Sequence, residues 1–282
     1  MDYPRLKQTL DYLYRTFDFR ARIRSDPIRF PHNYREPGDI EVAGLIAASF
    51  AYGRVELFSP VIDQILEKMG PSPFEFLMNF SMKREGRYFS GLRYRFSSGD
   101  DIVAFIHILS QLLRRYGSIE RAFAARYDRQ DLRTAISGFV ESVMSCNMPG
   151  SLGISRGVRH LFPSPERGGA CKRFCLYLRW MVRDRDIDFG IWKAIRPSEL
   201  VIPLDTHIAR ISRCLGLTAR KTRDWKMAVE ITEGLRILDP EDPLKYDFAL
   251  CHQGIMGVCR RCDPCRPPSG CPILSPACMG NC

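Results

Sequence analysis

The sequence predicts an all-α fold, and three observations carry that prediction. Apolar residues recur at three-, four- and seven-residue spacings along most of the chain. Alternating apolar and polar runs joined by Asn-Gly or Asp-Gly turns do not occur in succession. Helix punctuation recurs, with Pro or Asp before a periodic stretch and Gly after it.

The elements follow in order. Residues 1–17 place Leu6, Leu10, Leu13, Tyr14 and Phe17 on one helical face. Residues 18–38, with Pro27, Pro31 and Pro37, read as a long loop. Residues 39–51 are small and apolar and predict a largely buried helix with Asp39 as its cap. Tyr52-Gly53-Arg54 breaks that helix. A second follows with Leu57, Val61, Ile62, Ile65 and Leu66 inward, ending at Gly70-Pro71. The stretches 100–117, 118–127 and 130–145 continue the helical pattern, and 147–170, rich in Gly and Pro, reads as irregular. Helices are predicted from about Cys171 to Arg183, after Pro203, from about Arg223 to Leu238, and over roughly 244–257. A Pro/Gly/Cys-rich tail closes the chain.

The 282 residues suffice for one large or two small domains. With 45 % hydrophobic and 26 % charged residues, the composition is that of a soluble globular protein. No apolar run approaches the roughly 18–20 residues of a membrane span, and residues 1–17 carry no signal-peptide core. The expectation is a cytoplasmic, nucleoid-associated monomer with no membrane partner. The formal charge of +10, from 42 Lys and Arg against 32 Asp and Glu, favours a polyanionic partner. Seven of the 11 cysteines fall in the last 32 residues. In a reducing compartment such a cluster reads as a metal site rather than a disulfide framework.

The segment PLDTHIARISRCLGL (203–217) is the most informative. Pro203 discourages helix before it, Asp205 stands at the N-cap, Ile208, Ile211 and Leu215 form a buried stripe, and Gly216 ends the helix. Asp205 reads simply as a cap. The same geometry also keeps a carboxylate ionised, able to stabilise positive charge on a deoxyribose ring or to activate a nucleophile. Upstream, GGACKRFCLYLRWMVR (168–183) puts Gly168 and Gly169 at a tight turn and Lys172 on the first turn of a helix. There the positive end of the helix dipole favours a neutral amine. The plain reading of Lys172 is a solvated surface lysine.

LDTHIARISRCLGL resembles the helix that follows the hairpin in the helix-hairpin-helix DNA glycosylases, the endonuclease III superfamily. The resemblance implies a catalytic role for Asp205, with His207 and Arg210 matching neighbours in the motif. It also implies that Lys172 is the nucleophile of a bifunctional enzyme, with Arg173 beside it. The interval from Lys172 to Asp205, 33 residues, is closer to that of the archaeal 8-oxoguanine glycosylases, and the usual Leu-Pro-Gly-Val-Gly hairpin string is absent. The whole chain resembles a bacterial family of unassigned function that shares KRFxLYLRWMVR, LDTH and DPxKYDFAL. Within the glycosylase resemblance, GLIAASFAYGR (44–54) matches the helix and loop that fill the gap left by a flipped nucleotide. Tyr52 and Arg54 are then candidates for the wedge or for the orphaned base. Arg179, Trp180 and Arg183 are candidates for base stacking and phosphate binding, although Trp180 reads equally well as plain core.

In the tail, Cys259, Cys262, Cys265 and Cys271 give C-x2-C-x2-C-x5-C, spacing that converges thiolates on one metal. A rival set replaces Cys262 with Cys278. The resemblance implies a [4Fe–4S] cluster, with zinc as the alternative.

The expected architecture is therefore a two-lobed, all-α DNA glycosylase fold with a C-terminal cysteine metal loop. One lobe would comprise residues 1–70 and 200–282, the other 71–199 with the hairpin-like region and Lys172. The expected activity is base excision from double-stranded DNA with a damaged base or abasic site, followed by AP lyase cleavage. The alternatives are a monofunctional glycosylase and a non-catalytic, metal-stabilised nucleic-acid-binding protein.

Overall fold

A computed structural model describes residues 2–128, 131–149 and 152–257. The cysteines proposed as metal ligands, Cys259, Cys262, Cys265, Cys271 and Cys278, lie outside the described residues. The architecture is all-helical. The chain runs α1 (Tyr3–Thr16), α2 (Phe19–Ile23), α3 (Pro37–Phe50), α4 (Val55–Met69), α5 (Pro73–Asn79), α6 (Met82–Glu85) and α7 (Gly99–Tyr116). It continues through α8 (Ile119–Ala124), α9 (Leu132–Met144), α10 (Arg156–Leu161), α11 (Lys172–Val182), α12 (Thr206–Cys214), α13 (Trp225–Arg236) and α14 (Asp247–Ile255). Among the described residues there is no strand, only the isolated bridges Tyr94–Ser97 and Gly169–Asp224. No helix of the described residues is long and apolar enough to cross a membrane.

One hydrophobic cluster runs from Leu6 to Leu250. Its centre is α7, buried almost without interruption from Asp101 to Leu113, and α3, buried from Asp39 to Phe50. The small residues of α3 allow close packing. A Cβ on Gly44 would stand 2.9 Å from Met181 Cε and 3.3 Å from the Tyr177 ring, so α11 lies directly on this face. Helix α7 starts in a capping box: Ser98 accepts from the Asp101 N–H, and the Asp101 carboxylate accepts from the Ser98 N–H.

Glu41 of α3 is 4 % exposed and accepts three hydrogen bonds, from the N–H groups of Ile119 (3.1 Å) and Glu120 (3.0 Å) and from Trp192 Nε1 (2.6 Å). It thereby satisfies the first turn of α8 from a neighbouring helix. Burial pushes its carboxyl above the usual range against the pull of these donors. Glu41→Ala strands all three and is expected to lower stability by about 2–3 kcal/mol. Urea denaturation checks this, and an unchanged midpoint would remove Glu41 from the account.

Several local expectations are corrected. The loop over 18–38 contains α2 and two short 3-10 turns, at Pro27–Arg29 and Pro31–Asn33. Asp39 does not cap its own helix, which begins at Pro37. It accepts from Ser72 Oγ (2.8 Å) and the Phe74 N–H (2.9 Å) and so secures the start of α5. Leu57 faces outward, 45 % exposed. The Gly- and Pro-rich stretch before the hairpin-like turn contains α10.

Candidate active site

Two helix starts meet at the site. Helix α12 begins after Asp205, whose Oδ1 accepts from the His207 and Ile208 N–H groups at 2.8 Å each, the capping geometry its sequence position predicts. Helix α11 begins at Lys172. Before it, Gly168 takes a φ of +81° and closes a 3-10 turn, and Cys171 takes a φ of +49°. Two consecutive changes of direction thus project Lys172 toward α12. Its Nζ lies 3.3 Å from Asp205 Oδ2. The fold therefore joins two side chains 33 positions apart, one carboxylate oxygen held by the backbone and the other paired with the amine.

The electrostatics of the pair are set by competition. Burial disfavours the charged form of Lys172, but the Asp205 carboxylate outweighs it and the ammonium is held above its ordinary value. Burial likewise works against the charge on Asp205, yet the Lys172 ammonium and the Ile208 N–H hold it below the usual carboxylate range. The resting state is an ion pair. This corrects the expectation of a neutral amine: the weak, diffuse field of a helix start yields to a full negative charge at contact distance. The Lys172 side chain remains 38 % exposed, so the pair is open to an incoming ligand.

Two neighbours of the pair carry no local sequence signal. Cys251 of α14 donates its thiol to Asp205 Oδ2 at 3.5 Å. Burial and that carboxylate push the thiol well above its ordinary value, so it stays a neutral donor. Asp26 adds a second, weaker negative influence on Lys172, and its Oδ2 stands 3.5 Å from His252 Nε2. Helix α14 reaches this position because Gly254 lets it lie against α12: a Cβ there would meet His207 Cβ at 2.6 Å.

The remaining candidates divide. Gly168 and Gly169 are exposed at the turn before α11. Arg173 is turned inward, donating to the carbonyls of Ser49 and His160 and lying over the Tyr52 ring, its carbon 5.0 Å from the centroid. Tyr52 is half-buried rather than projecting. It exchanges hydroxyl-to-carbonyl hydrogen bonds with Tyr94 and packs against the rings of Tyr94 (4.7 Å) and His160 (4.7 Å). Arg54 is exposed at the start of α4. His207 packs against α14 with its Nδ1 buried, and Arg210 donates to the Gly254 carbonyl (3.3 Å), where it serves the last turn of α14.

Arg179, Trp180 and Arg183 correct their expectation outright. Trp180 is fully buried and Arg179 and Arg183 are 2 % exposed. Arg179 pairs with Asp188 (3.2 Å) and Asp247 (2.6 Å). Arg183 pairs with Asp186 (3.2 Å), Asp188 and Asp242 (2.8 Å). Their guanidinium groups are fully engaged by internal carboxylates, so none of the three offers a surface to DNA.

Residues 26–256 match the family described as Protein of unknown function (DUF2400). The chain belongs to that family. No curated protein and no solved structure matches it. Family membership spans α3 through α14 and so includes Lys172, Asp205 and Cys251, while the tail cysteines from Cys259 onward lie beyond the match. Among the described residues no three His, Cys, Asp or Glu side chains gather as a metal site.

Proposed function

We propose that this DUF2400 protein is a DNA glycosylase with AP lyase activity, in which Lys172 is the nucleophile and Asp205 its electrostatic partner. The observation that carries this reading is the Lys172–Asp205 pair at 3.3 Å, with the carboxylate anchored at a helix start and the amine accessible. In the proposed reaction, Lys172 first gives up a proton to solvent, which leaves Asp205 a carboxylate. Its Nζ lone pair then attacks C1′ of an extruded nucleotide, and the C1′–N bond breaks with its electron pair leaving on the base, which takes up a proton. Asp205 stabilises the positive charge that develops on the sugar. Ring opening, with O4′ leaving with the C1′–O4′ electron pair and taking up a proton, gives an iminium between Lys172 and C1′. Loss of a proton from C2′ then expels the 3′-phosphate by β-elimination. Four of Cys259, Cys262, Cys265, Cys271 and Cys278 would hold a [4Fe–4S] cluster or a zinc ion with a structural role, and no step passes through it.

Borohydride trapping on duplex DNA with an abasic site tests the reading. Wild-type protein is expected to form a covalent adduct and Lys172→Ala none. Because the Lys172 pKa is raised, the nucleophilic form is the minority at neutral pH. The trapping rate should therefore rise with pH, by about tenfold per unit while the pH stays below that pKa. A flat profile would remove free Lys172 as the reacting group. The ion pair also favours a second reading, in which Lys172 stays an ammonium that binds phosphate and Asp205 activates water. Base release that leaves an intact abasic site, with no adduct, would decide for it.

A further inference from the structure

Beside the site lies a cavity of about 430 Å³ that the proposed reaction does not use. Arg156 and Arg159 of α10, Arg167, and His160 line it, with Arg173 at its inner edge. Arg156, Arg159 and Arg167 are exposed and enter none of the ion pairs of the described residues. His160 adds no charge: burial and the Arg173 guanidinium push its pKa down to about 4. Three uncompensated cations facing one cavity repel each other, and an anion between them would remove that repulsion.

An exposed aromatic ring adjoins this cavity through His160. Phe96 is the most exposed of the large apolar side chains described, at 67 %. Its ring stands edge-on to His160 (5.1 Å) and parallel to Tyr52 (6.3 Å, 13° between planes). It sits at the tip of a tight turn closed by reciprocal backbone bonds between Tyr94 and Ser97 (2.9 and 2.8 Å), with Arg95 at a φ of +45° and Arg93 and Arg95 both exposed. The turn and the start of α10 are joined. Asp101 binds the Ser98 backbone after the turn and the Ser155 hydroxyl before α10. A Cβ on Gly157 would stand 2.2 Å from Asp101 Oδ2 and 2.8 Å from the Phe96 carbonyl oxygen, so α10 touches the turn with no gap. An aromatic face held beside a cationic cavity by the joined backbones of the turn and α10 matches the two groups a nucleotide offers, a base and a phosphate.

We propose that Phe96 and the Arg156–Arg159–Arg167 cavity form a second DNA site, which takes one unpaired nucleotide of a single-stranded segment, its base stacked on Phe96 and its phosphate among the arginines. The choice of DNA as the polymer rests on the glycosylase reading. The site then makes the preferred substrate a lesion beside strand-separated DNA rather than within continuous duplex.

The test is fluorescence anisotropy of the full chain with a labelled oligothymidine of about 12 nucleotides, within the range such sites cover. Phe96→Ala is expected to weaken binding about tenfold, and Phe96→Trp to retain it. Replacing Arg156 and Arg159 together with Ser should reduce the salt slope of log K by about 0.7, one phosphate contact's worth. Unchanged affinity in Phe96→Ala with an unchanged slope in the double variant would overturn the proposal. So would tighter binding of an oligouridine through the same residues, which would assign the site to RNA. The two readings fail separately. Phe96-dependent binding by a wild-type protein that forms no borohydride adduct would leave this site standing without the lyase. An adduct together with Phe96-independent binding would do the reverse.

Discussion

Asp205→Asn is expected to abolish base release, by at least about a hundred- to a thousandfold, while leaving DNA binding and the fold intact. The two oxygens of Asp205 have separate duties. Oδ1 accepts the His207 and Ile208 N–H groups, and the carbonyl oxygen of asparagine accepts both equally well. The cap, worth about 1 kcal/mol, is therefore kept. Oδ2 faces Lys172 at 3.3 Å and the Cys251 thiol at 3.5 Å. Asparagine puts an uncharged amide there, which cannot balance a cationic sugar. Single-turnover base release and gel-shift measurements on one preparation separate the two duties. Undiminished release in the variant would sink the mechanism. Asp205→Ala is the less informative change, because it removes the cap and the charge together.

Arg183→Met is expected to destabilise the protein by about 3–5 kcal/mol without altering the salt dependence of DNA binding. Arg183 donates to both oxygens of Asp242 (2.9 and 3.1 Å from Nε) and to Asp186, and pairs with Asp188, which also accepts from Arg179. Methionine fills much of the space but leaves the Asp242 carboxylate buried without its cation and Asp188 with Arg179 alone. That cost exceeds what the intact network contributes over an apolar replacement of all its members. Chemical denaturation gives the first quantity and affinity at several salt concentrations the second. A flattened salt slope with unchanged stability would return Arg183 to the DNA face from which its burial removes it.

The contrast between these residues shows what a sequence reveals. Asp205 and Lys172 are legible because their signals are local: an acid before a periodic stretch, and a lysine after a glycine pair, each fix a helix start without reference to the rest of the chain. Their meeting is not local, and only the resemblance to a known motif suggested it. Arg179 and Arg183 carry the opposite lesson. On a helix, basic residues one turn apart read as a solvated or phosphate-facing stripe. What buries them is a set of acids 59 and 68 positions downstream and a loop just past the helix end. Cys251 is illegible for the same reason, since its partner is 46 positions away. Helix α10 has no sequence signature because six residues are too few to display a period. Phe96 has none either, because an exposed aromatic has no neighbour spacing to betray it.

The seam between α12 and α14 is gauged by an atom that is not there. Gly254 has no Cβ, and any Cβ would press on His207, two residues into the helix that Asp205 begins. Methylation of that one carbon, as in Gly254→Ala, would act as a shim driven in three residues from Cys251. It would tilt the carboxylate away from the amine while touching neither. The tolerance of the 3.3 Å pair is thus set from behind, by the thickness of a joint, and the dimension that matters most to the proposed chemistry is held by the residue with the least chemistry of its own.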